Sequence, residues 1–420
     1  MSPLGNPPSA SPSDFGSGGK ASEPHPVGRV KYGSFRQTLR MLAFATYFTV
    51  CVTAIHITQL LGSPLYFINK DYYYAYMSLT KQSFGIMITV MTQWWSPTVV
   101  RVSGDKSVRG QLRQTEDGRL ECDFPERIIF IANHQLYSDW LYLWWIAYTN
   151  SMHGHMYIIL KESLKYIPII GPGMMFYGFI FLARRWAKDK PRFEHRLQKL
   201  KSSHSGPLSG SKGLDPMWLM IFPEGTNLSL NGRNSSAKWA EKQGMKDLKH
   251  QLLPRSTGLL FCLKELKGTV DWVYDCTVAY EGIPRGKYGQ DIFTLPSTYF
   301  QGRPPKSVNM YWRRFPVSSI PVDDQKAFEQ WVLDRWIEKD ALLERYLQNG
   351  RFPADDEIDE DGQLPANGND EKQGAQGAGY IETDVRPAHW FEIGQIFVVI
   401  SAFGLVINVL AKAWRLLFYG

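Results

Sequence analysis

The chain has 420 residues, 44% of them hydrophobic, with 14 Trp, 21 Tyr, 23 Phe and a formal net charge of +7. That apolar content suits a globular core, while four scattered cysteines (Cys51, Cys122, Cys262 and Cys276) with no CxxC spacing argue against a disulfide framework or a metal site. A pI near 9.0 fits an anionic membrane surface or a nucleic acid, but no zinc-finger or RNA-recognition signature accompanies the charge, so membrane and phosphate-bearing lipid are the expected partners and nucleic acid is not.

Residues 1–38 read as a disordered tail, rich in Ser, Gly and Pro up to about Gly28 and lacking a signal-peptide start. Residues 39–97 form a membrane-associated segment. Within it, Leu39 to Leu61 is apolar and long enough to cross a bilayer, with Arg40 and His56 its only basic groups. Phe84 to Trp95 is too short to cross alone and reads as re-entrant or lying in the bilayer surface. Arg29, Lys31 and Arg36 precede the first stretch and Arg40 lies at its start, which places the N-terminus in the cytosol by the positive-inside rule.

Residues 98–346 alternate short β-type runs with helical patterns, as an α/β domain does. Candidate strands are Thr98 to Val102, Arg127 to Ala132, His155 to Leu160, Trp218 to Phe222 and Trp272 to Tyr280. Candidate helices begin near Ser138, Pro172, Pro191, Arg255 and Asp323, and the Ser/Gly-rich insertion Ser202 to Pro216 reads as a surface loop. An acidic run from Asp355 to Asp361 opens a solvated linker over 347–388. Within the last segment, 389–420, Ile393 to Ala411 carries no charge and is a second transmembrane candidate, flanked by Lys412 and Arg415.

Two strand ends carry chemistry. Arg127 to Ala132 runs into Asn133-His134, and Asp139 follows His134 by five positions. Residues five apart do not share a helix face, so His134 belongs in the turn and Asp139 in the first helical turn, its side chain reaching back. A carboxylate so placed fixes the imidazole tautomer and lets the other ring nitrogen take a proton from a hydroxyl; equally, such a pair can simply cap a turn. The second strand end is Phe222-Pro223-Glu224-Gly225-Thr226, where Pro223 sets φ, Gly225 permits a sharp turn, and the exposed amides with the Thr226 hydroxyl can hold phosphate oxygens.

Together, Asn133-His134-x4-Asp139 and Phe222-Pro223-Glu224-Gly225-Thr226 resemble the motifs of the glycerolipid acyltransferases. Lys161 to Trp186 (KESLKYIPIIGPGMMFYGFIFLARRW) resembles the second element of that family, in the form found in the lysocardiolipin and lysophosphatidylinositol acyltransferase branch. The resemblance implies an α/β domain with a mixed sheet flanked by helices, between N-terminal and C-terminal membrane helices. It implies acyl transfer from acyl-CoA, as co-substrate and with no other cofactor, to the free hydroxyl of a lysophospholipid. His134, oriented by Asp139, is the implied base. Asn133, Lys161, Arg184, Glu224, Gly225, Thr226 and Arg255 are the implied substrate contacts, and no metal is implied.

Several details stay open at this level. Arg184 can hold a phosphate through two hydrogen bonds, though Arg185 fits the motif one residue later, and Lys161 and Lys165 can merely solvate an apolar segment. Glu224 either bonds a glycerol hydroxyl or orders its loop. The following Asn227-Leu228-Ser229 lacks the basic residue that the family often has there, which leaves the head-group contacts unassigned. Gly282 to Lys287 falls one residue short of a P-loop. A silent lipid-binding protein or a lipid hydrolase on the same fold are the rival readings.

Overall fold

A computed structural model describes residues 24–205, 212–354 and 380–418. The sequence expectations for residues 1–23, the acidic run 355–361 and the stretch up to 379 lie outside the described residues. Twelve strands follow in chain order: β1 (Val99–Gly104), β2 (Leu112–Gln114), β3 (Leu120–Cys122), β4 (Arg127–Ala132), β5 (Met156–Lys161), β6 (Ile180–Leu182), β7 (Ser203–Ser205), β8 (Lys212–Leu214), β9 (Met217–Ile221), β10 (Trp272–Tyr280), β11 (Ser307–Pro316) and β12 (Ile381–Asp384).

Eight of them form one mixed sheet in the order β12-β1-β11-β10-β4-β9-β5-β6. Its centre explains the uninterrupted apolar run of β4. Ile128, Phe130 and Ala132 belong to one core cluster, while Ile129 and Ile131 belong to a second. Successive side chains of a strand point to opposite faces, so a strand covered on both sides reads as continuously apolar. The first face is covered by helices Ser34–Gly62, Lys70–Trp95 and Asp139–Thr149. The second is covered by Trp186–Lys199, Ser256–Glu265 and Gln325–Asn349, through Phe193, Leu197, Leu259, Leu263, Phe328 and Trp336.

Strands β10, β4, β9, β5 and β6 all run parallel. Their carboxyl ends, at Tyr280, Ala132, Ile221, Lys161 and Leu182, therefore share one edge of the sheet, where open α/β sheets hold their ligands. β11 runs antiparallel to β10, β1 pairs parallel with β11, and β12 pairs antiparallel with β1.

The structure corrects four expectations. Phe84 to Trp95 is not a short segment of its own: it is the C-terminal half of the helix Lys70–Trp95, most of it is buried inside the protein, and Phe84 packs against Trp140 and Trp144. The polar break that hid this helix is Lys81, whose buried ammonium donates to Met156 O at 3.0 Å and lies 3.9 Å over the Tyr157 ring. Strand β11 went unread because Asn309 and Arg313 interrupt it; both are buried and paired, Asn309 with the Tyr346 hydroxyl (3.1 Å) and Arg313 with Asp275 (2.8 Å). The tail does not run to residue 38, since the first helix starts at Ser34 and His25 bonds Ile292 O at 3.1 Å. Nor does the linker run to residue 388, because Ile381–Asp384 is an edge strand of the main sheet.

The insertion Ser202 to Pro216 holds a two-stranded ribbon of β7 and β8. Among the described residues two helical segments are long and apolar enough to cross a membrane, Ser34–Ile68 and Trp390–Trp414. The first is not a bare span: Arg40 donates to Trp95 O (3.0 Å) and Tyr299 O (3.1 Å), so it is anchored within the protein and is not a free flanking charge.

Candidate active site

His134 sits in the turn after β4, and its backbone is pinned on both sides to the turn after β9. Its N–H donates to Glu224 Oε1 at 2.9 Å, and its carbonyl accepts from Leu228 N at 2.7 Å. Asn133 anchors the other flank. Its amide donates to Val278 O (2.9 Å) and accepts from Val278 N (2.7 Å), completing the ladder to β10 where β4 has ended. Asn133 is fully buried by these bonds, so it holds the turn and is not placed to touch substrate.

Asp139 opens the next helix and is buried, with its carboxylate turned back over the turn. Oδ2 lies 2.8 Å from His134 Nδ1. Both oxygens also accept from Leu136 N, at 3.1 and 3.0 Å, and Oδ1 accepts the Tyr280 hydroxyl at 2.5 Å. Four interactions thus fix the carboxylate, and the carboxylate in turn fixes the ring. The imidazole stacks on Phe222, with centroids 4.2 Å apart and planes 21° apart. With Nδ1 committed to Asp139, Nε2 is the nitrogen left to exchange a proton, and the side chain is 17% exposed.

Glu224 is nearly as enclosed. Its Oε1 takes the His134 N–H, and its Oε2 takes the Leu252 N–H at 3.1 Å. Of the two roles open from sequence, this geometry matches loop ordering, because both oxygens already have partners. Burial pushes its carboxyl up to about 8, against the two backbone bonds that favour ionisation. Replacing Glu224 with Ala strands two backbone donors in the interior, each worth about 1–3 kcal/mol, so the melting temperature should fall by several degrees. A pH series checks the same group. Its folded pKa lies above the unfolded 4.5, so its contribution to stability is full below pH 4.5 and is lost as pH rises to about 8. Glu224→Gln should flatten that slope; an unchanged slope would contradict the assignment.

The basic residues gather around Gly225. Gly225 adopts φ 73°, and its carbonyl accepts from Arg184 Nη2 at 2.7 Å. Arg255 donates its backbone N–H to Pro223 O at 2.8 Å, and its Cδ lies 3.9 Å from where a Cβ on Gly225 would stand. Arg184, Arg255, Gly225 and Lys161 are exposed, and Thr226 is half-buried. Lys161 ends β5, between the turn after β9 and the end of β6. Lys165 is instead tied to Glu162 at 2.8 Å, and with Arg192 it draws the Glu162 carboxyl down to about 2.

Geometry separates Arg184 from its neighbour. Arg184 has φ 63°, a left-handed conformation that costs a non-glycine residue roughly 1 kcal/mol or more. The buried Asp189 holds it there by accepting from Ala183 N and Arg185 N, both at 2.8 Å. The strained backbone aims Arg184 at the Gly225 turn. Tyr280, Leu252 and Asp189 were not singled out from the sequence. Tyr280 and Leu252 meet the site through contacts 141 and 28 positions long, whereas Asp189 acts locally on the backbone just before its own helix.

An imidazole–carboxylate pair at the carboxyl edge of an α/β sheet, flanked by exposed arginines, is an arrangement that can take a proton from a hydroxyl beside an anionic group. Residues 100–281 match the family model described as acyltransferase, and residues 298–372 match that of the acyltransferase C-terminus. An uncharacterized acyltransferase of Schizosaccharomyces pombe is 39% identical over 76% of this chain and 88% of its own length. The 2-acyl-1-lysophosphatidylinositol acyltransferase of Saccharomyces cerevisiae is 36% identical over 75% of this chain and 86% of its own. Lysocardiolipin acyltransferase 1 of Gallus gallus is 34% identical over 54% of this chain and 55% of its own. The chain belongs to the glycerolipid acyltransferase family and is an acyltransferase.

Proposed function

We propose that the protein transfers a fatty acyl chain from acyl-CoA to the free hydroxyl of a lysophospholipid, with His134 as general base and no acyl-enzyme intermediate. The observation that carries this reading is the buried Asp139 carboxylate on His134 Nδ1, which leaves Nε2 as the proton acceptor. The acceptor hydroxyl loses its proton to Nε2 as its oxygen attacks the thioester carbonyl. The carbon–sulfur bond then breaks, and His134 returns the proton to the departing thiolate. A base of this kind contributes roughly 10²- to 10⁴-fold, so positioning by the turns around His134 and Gly225 supplies much of the remainder. Arg184, Arg255 and Lys161, with the Gly225–Thr226 turn, are the groups to hold phosphate oxygens. No cofactor or metal is needed for this chemistry.

The relatives named for lysophosphatidylinositol and lysocardiolipin support an acceptor of the lysophospholipid class. Oleoyl-CoA offered with a panel of single-chain lysophospholipids should give two-chain products. Free oleate as the main product would favour a hydrolase, and no turnover of any pair would favour a silent lipid-binding protein.

Ser34–Ile68 and Trp390–Trp414 support residence in a membrane, where the acyl chain and the acceptor reside. The endoplasmic reticulum is the location we propose. Alkaline carbonate should leave it in the membrane pellet; release into the supernatant would defeat the membrane reading. Co-migration with a different organelle would defeat the location.

A further inference from the structure

Both turns of the site lean on one loop, residues 281–302 between β10 and β11. It meets the turn after β4 at two points. The Tyr137 hydroxyl donates to Phe293 O at 2.9 Å. Leu136 packs so closely on Gly289 that a Cβ there would stand 2.6 Å from Leu136 Cδ2. Both residues lie between His134 and Asp139, and Leu136 N is one of the donors that hold the Asp139 carboxylate. The loop also meets the turn after β9, where Asn227 donates to Gln290 Oε1 at 2.7 Å. The Phe293 ring lies 6.3 Å from that of Tyr280, whose hydroxyl is another donor to Asp139.

The same loop is held at a second set of points by the chain ahead of the first helix. His25 Nε2 lies 3.1 Å from both Ile292 O and Ser297 Oγ, and its Nδ1 accepts from Val27 N at 3.3 Å. A carbonyl only accepts, so the ring proton sits on Nε2 and points into the loop. Val27 packs on Gly282 and on the main core. Lys31 N donates to Gln301 O at 2.9 Å, and the Tyr32 ring covers Gly302, where a Cβ would stand 2.7 Å from Tyr32 Cε2. Tyr32 is fixed in turn by the Arg40 guanidinium, 4.5 Å from the centre of its ring, and by Gln37, which donates to its carbonyl at 2.7 Å. His25 and Ile292 are 267 positions apart, which is why the sequence reads this stretch as tail.

We propose that residues 25–32 form a strap that holds loop 281–302 against the turn between His134 and Asp139, which makes His25 and Val27 positioning residues for the reaction. The inference rests on the acyltransfer reading above. A connection of this length is ordered by what it touches, because each residue held in one conformation costs entropy. With the strap released, Phe293 O and Gly289 gain freedom, and Tyr137 and Leu136 lose their supports. Leu136 N then no longer stays under the Asp139 carboxylate, and the carboxylate no longer fixes the imidazole. A base displaced by about 1 Å can cost about 10²-fold in rate. The strap touches neither His134 nor Asp139, so its effect passes through the loop alone.

The test uses the full-length protein in detergent, with Val27→Asp as the strong variant and His25→Ala as the mild one. Amide hydrogen exchange reads the coupling without turnover. In Val27→Asp we expect exchange to rise at least tenfold in residues 281–302 and again in 134–139, with the helix Gln325–Asn349 unchanged. kcat should fall at least tenfold, while KM for oleoyl-CoA and for lysophosphatidylinositol stays within about twofold. His25→Ala should move the same quantities by a smaller factor, and it decides alone if Val27→Asp does not fold. Tyr137→Phe breaks the bond from turn to loop, so the kcat losses of Tyr137→Phe and Val27→Asp should combine to less than their product. Faster exchange in the loop with kcat unchanged overturns the proposal, because the strap is then a covering only. So does exchange that rises equally through the main sheet, exchange unchanged in both segments, or kcat losses that multiply in full. Failure of the acyltransfer reading would look different: no product from oleoyl-CoA with the wild type, and the exchange coupling still measurable.

Discussion

His134→Ala should lower kcat by about 10²- to 10⁴-fold while leaving the melting temperature within a few degrees of wild type. The side chain is the only acceptor placed to take the hydroxyl proton in this account, and its loss leaves positioning and phosphate contacts intact. KM for both substrates should therefore change little. The fold should tolerate the change because the backbone of residue 134, not its ring, carries the bonds to Glu224 and Leu228. What is lost is the stack on Phe222 and the bond to Asp139. A variant retaining more than a few per cent of activity would remove His134 from the role of base.

Asp139→Asn should be nearly as severe, for a different reason. If the amide nitrogen faces His134 Nδ1, it donates where the carboxylate accepted. The proton then moves to Nε2, the nitrogen that must be free, and in comparable triads this change costs ~10⁴-fold. If the amide oxygen faces Nδ1, the nitrogen turns toward Leu136 N and the Tyr280 hydroxyl, which both donate to the native carboxylate. Either orientation strands donors in a buried site at about 1–3 kcal/mol each, so this variant should lose both kcat and stability. Melting curves beside steady-state rates separate it from His134→Ala; a native melting temperature with native kcat would contradict the orienting role of Asp139.

These two residues were legible because their chemistry is local. His134 and Asp139 are separated by one turn, and the apolar strand before them marks where that turn begins. The Phe222 to Thr226 turn was legible for the same reason. Tyr280 was not, since its hydroxyl reaches Asp139 across 141 positions of sequence. Nor was the path by which Leu252 N holds Glu224 and Glu224 holds the His134 backbone. No spacing rule announces a contact between distant turns.

The fold shows the same division. β4 and β10 stand out as β-branched and aromatic runs and were read with their true bounds. β11 is as buried as either, yet its Arg313 and Asn309 make it look like a surface segment until Asp275 and Tyr346 are seen beside them. Lys81 disguised the helix Lys70–Trp95 in the same way. Buried polar groups are tolerated only with partners, and partners distant in sequence cannot be read from it.

The central claim is direct transfer: the acceptor hydroxyl, deprotonated at His134 Nε2, attacks the thioester itself. The most direct measurement follows coenzyme A thiol released from oleoyl-CoA by the purified protein, with and without lysophospholipid. The account predicts release only when the acceptor is present, matched one for one by a two-chain phospholipid. A burst of thiol without acceptor, leaving oleate bound to the protein or free in solution, would contradict it.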